Sequence, residues 1–176
     1  LRELKIRKIN RLAFKTIFRK LKSVEMVNTI WRTNDDPVNL RDFYYPSKLT
    51  IQGLREKVTA ETIDEISKDE NIIIEGTAGQ GKSIFLRNLA SNEIRKGLRI
   101  PLFIELRKLG QTESILSLLE KKLDALGFIT SKEIIDALLQ SGKILLLFDG
   151  FDEVHSTIKS ETLKNIEHIS EKYENT

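Results

Sequence analysis

Eight consecutive residues, Gly76-Thr77-Ala78-Gly79-Gln80-Gly81-Lys82-Ser83, have the make-up of a loop that wraps its backbone around phosphate. Such a loop must turn several N–H groups inward and let an anion approach closely, which glycines permit. Lys82 brings a point charge suited to the β- and γ-phosphates of a nucleotide, and the Ser83 hydroxyl can ligate Mg2+. A second cluster follows about 70 residues later, Asp149-Gly150-Phe151-Asp152-Glu153. Its three acids repel one another unless a cation or a proton relieves them. Asp149 is suited to hold Mg2+ through a water. Asp152 and Glu153 are the candidates to orient or deprotonate an attacking water, with Glu153 preferred. Together the two clusters describe phosphoryl transfer from a nucleotide.

The elements that must position these residues can be read from the surrounding pattern. Three isoleucines within Asn71 to Glu75 predict a buried strand leading into the loop, and a helix is predicted from about Lys82 to Lys96, stopped by Gly97. Strand, glycine-rich loop and helix in this order are the context that the P-loop pattern requires. Ile100 to Leu106 and Ile144 to Phe148 predict further strands, the second ending on Asp149. An acid at the C-terminal tip of a buried strand lies where open α/β sheets bind ligands. Helices are expected from about Glu113 to Leu126, from the capping box Thr130 to Glu133 up to Gly142, and from about Lys159 to Tyr173. A short helix is expected near Thr62, where Thr62 and Glu65 have capping-box spacing. Strands without polar interruption belong to parallel sheets covered on both faces. The fold class is therefore α/β, a three-layer parallel sheet with helices on both faces.

Residues 1–22 hold nine Lys or Arg against the single acid Glu3, a local +8 within a chain of net +3. Residues 1 to about 30 have no Gly or Pro, and Leu1, Leu4, Ile9, Leu12, Ile17, Phe18 and Leu21 form an apolar stripe, so a basic amphipathic helix is predicted. It can bind nucleic acid or an anionic surface, or serve as a connector whose stripe lies on the neighbouring domain; the connector is preferred. Residues 1–40 are thus read as helix and linker, and 41–176 as the nucleotide-binding part. With no cysteine and two histidines, disulfides and a structural zinc are not expected. No apolar run approaches the roughly 20 residues of a membrane span. A cytoplasmic setting is expected.

The strand ending in Asp149-Gly150-Phe151-Asp152-Glu153, with Gly76 to Ser83, resembles the NACHT group of STAND signalling ATPases, and Phe103-Ile104-Glu105-Leu106-Arg107 looks like that group's second strand. The resemblance runs from about Asp42 to Tyr173. It implies a molecular switch that binds ATP or ADP with Mg2+, hydrolyses slowly, forms homo-oligomers when activated, and acts in innate immune or antiphage defence. The alternatives are another P-loop ATPase such as an AAA-like motor, or a nucleotide-dependent scaffold without turnover. Phe43 to Pro46 would lie near the adenine by the same resemblance, whereas Tyr44 and Tyr45 otherwise pack the domain edge. The resemblance also places a strand with a phosphate-sensing arginine between the P-loop strand and the Asp149 strand. Residues up to Thr176 stop short of it, so the sheet is expected to be incomplete.

Overall fold

A computed structural model of the chain describes residues 16–28, 36–51, 57–66, 71–110, 113–128 and 131–173. Among them are three two-stranded ladders. β1 (Met26–Val27) pairs with β2 (Val38–Asn39) and β3 (Lys48–Thr50) with β4 (Lys57–Thr59), both antiparallel. β5 (Ile100–Glu105) and β6 (Ile144–Asp149) run parallel, with Ile100 opposite Ile144 and Glu105 opposite Asp149. The described α-helices of nine residues or more are α1 (Lys82–Lys96), α2 (Ile115–Leu126), α3 (Lys132–Gln140) and α4 (Ser156–Lys172). A parallel pair needs a long crossover, which α2 and α3 supply between β5 and β6.

The alternation of side chains along a strand splits the two strands' apolar residues between two faces. Phe103, Leu145 and Leu147 pack with Ala90 and Leu86 of α1. Leu102, Ile104, Ile144, Leu146 and Phe148 pack on the other side with Leu119 and Leu123 of α2, Leu139 of α3 and Ile169 of α4. Helices therefore cover both faces, as the uninterrupted apolar strands require. Leu119, Leu139 and Ile144 are fully buried. Truncating any such side chain to alanine costs about 2–5 kcal/mol, a large share of a domain's roughly 5–15 kcal/mol.

Several expectations are corrected. The sheet among the described residues is a parallel pair and not a full three-layer sheet. The strand expected over 71–75 is backbone without regular secondary structure, outside any ladder, and Ile73 is 86% exposed. A strand exists only through hydrogen bonds to a neighbour, and residues 71–75 have no ladder partner among the described residues. The first helix does not run to residue 30. Helical residues 16–21 tighten into a 3-10 turn, Lys22–Glu25, and the chain then enters β1. The part of that helix expected over 1–15 lies outside the described residues. α3 is capped by Ser131, whose hydroxyl accepts from Ile134 N, and not by the box starting at Thr130, which lies outside the described residues. α4 starts at Ser156, three residues before Lys159.

At Ile63–Glu65 the expected helix is a single 3-10 turn. The Thr62 hydroxyl caps no backbone N–H; instead Glu65 accepts from Glu61 N, one residue before the cap, at 2.8 Å, and this bond holds the Glu65 carboxyl below its ordinary pKa. Of the apolar stripe predicted at the start of the chain, Ile17, Phe18 and Leu21 pack against the main core. Lys20 Nζ donates to the Ala125 carbonyl at 2.8 Å, one of the outward-facing carbonyls ending α2.

Candidate nucleotide-binding site

The irregular run 71–77 and the turn after it deliver the chain to the N-terminus of α1. Gly79 and Gly81 both adopt positive φ, 79° and 83°, a region costly for residues with a Cβ. Through Gly81 the backbone turns straight into the first helical residue, Lys82. Gln80 folds back inside the loop, and its Oε1 accepts from Thr77 N at 2.9 Å. α2, α3 and α4 are each capped by a side chain, from Ser114, Ser131 and His155. α1 has no side-chain cap. Its first-turn N–H groups stay available to an anion, and the helix dipole favours one there. Lys82 Nζ lies within the same loop, donating to the carbonyls of Gly76 at 2.7 Å and Thr77 at 3.3 Å.

β6 brings the second motif to this loop. Ser83 Oγ donates to Asp149 Oδ1 at 2.9 Å, joining residues 66 positions apart. A hydroxyl and a carboxylate meet between the helix start and the strand tip, and both are hard oxygen donors. They fit Mg2+, which keeps several waters and takes only one or two protein oxygens. Among the described residues no cluster of three or more His, Cys, Asp or Glu side chains forms a cage for a metal.

After Asp149 the chain turns at Gly150, φ 75°, into a 3-10 turn, Phe151–Glu153. The two acids in it diverge. Asp152 is exposed, and its carbonyl accepts from Lys159 Nζ at 3.2 Å. Glu153 folds back over Gly150, with its carboxyl carbon 3.6 Å from where a Cβ on that glycine would stand. It therefore lies beside the residue that follows Asp149.

Sequence reasoning missed the charged group next to it. A 3-10 turn, Leu106–Lys108, follows β5, and from it Arg107 reaches two carboxylates, Glu105 at 2.9 Å and Glu153 at 3.6 Å. Glu105 also pairs with Lys108, and with Arg87 of α1 at 3.6 Å. Burial alone raises the Glu105 pKa, but hydrogen bonds from Lys108 and Arg107 outweigh it and hold the carboxyl below its ordinary range. A lowered folded pKa means that the contribution is complete above the unfolded value and is lost as pH falls through the folded one. The cluster is therefore intact at neutral pH. The hydrogen bond to Glu105 in turn raises the Arg107 pKa. The available sequence signal was the register of the strands, which sets Glu105 opposite Asp149 at the ligand-binding edge.

The aromatic segment divides. The Tyr44 hydroxyl is buried without a hydrogen-bond partner among the described residues, whereas Tyr45 is 82% exposed and does not pack the domain edge. No helix among the described residues is long and apolar enough to cross a membrane.

A glycine-rich loop opening an uncapped helix, with its serine bonded to the aspartate at the tip of a parallel strand, defines the class: a P-loop NTPase fold. Residues 70–172, more than half of the 176-residue chain, match the family model described as NACHT domain, and the chain belongs to that family. No curated protein and no solved structure matches it.

Proposed function

We propose that this chain carries the phosphate- and metal-binding part of a slow, ATP-driven signalling switch of the NACHT and STAND kind. Its setting is the cytoplasm, its output is homo-oligomerisation on activation, and its role is innate immune or antiphage defence. The observation that supports this reading best is the 2.9 Å hydrogen bond between Ser83 and Asp149, which gathers the phosphate loop and the acidic strand tip at one point. The backbone from Gly76 through Thr77, Ala78, Gly79, Gln80 and Gly81 cradles the phosphates, and Lys82 exchanges its loop carbonyls for β- and γ-phosphate oxygens. Ser83 and Asp149 would hold Mg2+, which supplies neutralisation of phosphate charge. Glu153, with Asp152 as the alternative, accepts the proton of the attacking water. Residues 1–22 act as a connector, consistent with Ile17, Phe18 and Leu21 lying on the core.

A switch and a motor differ in turnover. The full chain, purified and denatured, is expected to release about one ADP per molecule. Its hydrolysis is expected to be well below the roughly 1 s⁻¹ at the low end of ordinary enzymes. Sustained faster turnover would identify a motor-like ATPase. Bound nucleotide with no hydrolysis at all would identify a scaffold.

A further inference from the structure

α1 buries polar residues along a face where a layered fold ordinarily places apolar ones. Asn88, Ser91, Asn92 and Glu93 are 8%, 1%, 6% and 2% exposed. Buried polar groups are costly unless paired. Most of the partners here come from upstream of residue 70, where the family match begins. Ser91 Oγ donates to Glu25 Oε1 at 2.6 Å and accepts from Arg41 at 3.4 Å, while Arg41 also pairs with Glu25. The Glu25 carboxylate is thus buried with two partners, one on α1 and one in the 3-10 turn Leu40–Asp42. Asn92 donates to the Glu61 carbonyl, and Lys96 reaches Asp64 at 2.6 Å.

The same helix links this seat to the phosphate site. Ser83, Arg87 and Ser91 are spaced by four, so they share one side of α1 on successive turns. Ser83 holds Asp149. Arg87 donates to the Val24 carbonyl at 3.3 Å, pairs with Glu105 and lies over the Phe103 ring at 4.5 Å. Ser91 holds Glu25. Loss of Arg41 or Ser91 leaves the buried Glu25 carboxylate short of a partner, which disfavours half-docked arrangements. A segment held in this way suits a two-state element, seated or released to water.

We propose that residues 22–28 and 36–42 form a latch on the P-loop helix, and that its docking is coupled to nucleotide occupancy. The proposal rests on the reading of nucleotide binding given above. Phosphate drawn to the first turn of α1 fixes the helix against β6, and a fixed helix presents Arg87 and Ser91 in the positions the latch requires. Nucleotide then tightens the latch, and by reciprocity the seated latch tightens nucleotide binding.

Hydrogen exchange of the full chain, followed by mass spectrometry with and without Mg-ADP, tests this. Mg-ADP is expected to raise protection of residues 22–28 and 36–42 by about fivefold or more. Ser91→Ala is expected to abolish that rise and to weaken ADP binding by the same factor. Arg41→Gln, at a position 45% exposed, is expected to act in the same direction without touching the core, so that misfolding of the first variant would not decide the matter. Equal protection in the wild type with and without Mg-ADP would overturn the latch. So would variants that loosen the segment with ADP affinity unchanged, and both results leave nucleotide binding standing. A wild-type chain that binds no nucleotide would overturn the reading of function itself, and the latch with it.

Discussion

Lys82→Ala is expected to weaken Mg-ATP binding by about a hundredfold while leaving the melting temperature unchanged. The side chain is half-buried, and its partners in this structure are two loop carbonyls, Gly76 and Thr77, in bonds exposed to water. Exposed bonds to a charged lysine add little to stability, because water replaces them. Against phosphate the same ammonium makes charge-assisted hydrogen bonds worth about 1.5–3 kcal/mol each. Losing two of the weaker ones costs about 3 kcal/mol, or about two decades in Kd. Lys82→Arg keeps the charge with the wrong shape for a compact point contact, so an intermediate loss is expected. Titration of each variant with Mg-ATP, beside a thermal melt, checks both halves. Affinity within about threefold of wild type would contradict the assignment of Lys82.

Glu153→Gln is expected to slow hydrolysis by about a hundredfold or more with ATP affinity retained, and Asp152→Asn to slow it by less than about tenfold. General-base catalysis contributes about 10²–10⁴ in rate, and an amide accepts no proton. The two acids are adjacent in sequence but not equivalent in space. Glu153 lies over Gly150 beside Asp149 and is within 3.6 Å of Arg107. Both acids are exposed, but among the described residues the contact of Asp152 is through its backbone carbonyl, which accepts from Lys159. Single-turnover hydrolysis of bound ATP separates the chemical step from product release. A larger loss in Asp152→Asn than in Glu153→Gln would reverse the roles.

Much of the site was legible because its pieces are local. The loop from Gly76 to Ser83 needs only its own glycines and the helix behind it, and α1 runs over the span that its stop at Gly97 predicts. β6 ends on Asp149 because five apolar residues in a row can only be buried. The meeting of Ser83 with Asp149 followed from motif pairing. What depended on a neighbour was not legible. Residues 71–75 have the composition of a strand, but a strand needs a ladder, and Ile73 faces solvent instead. β1 is two residues long and pairs across the chain with β2, so no periodicity announces it. Nothing in the local sequence pattern joins Glu25, Arg41 and Ser91, and only the fold brings them together across 66 positions. Arg107 closes the strand motif that begins at Phe103, but its bridge between Glu105 and Glu153 arises from two 3-10 turns meeting.

The central claim is that one nucleotide is held by the loop and by an ion seated on Ser83 and Asp149. Calorimetric titration of the full chain with ATP, in excess Mg2+ and again in excess EDTA, tests it most directly. One ATP per chain is expected in Mg2+, with affinity at least about tenfold weaker in EDTA and with Ser83→Ala reducing that difference. No binding in Mg2+, or binding indifferent both to EDTA and to Ser83→Ala, would contradict it.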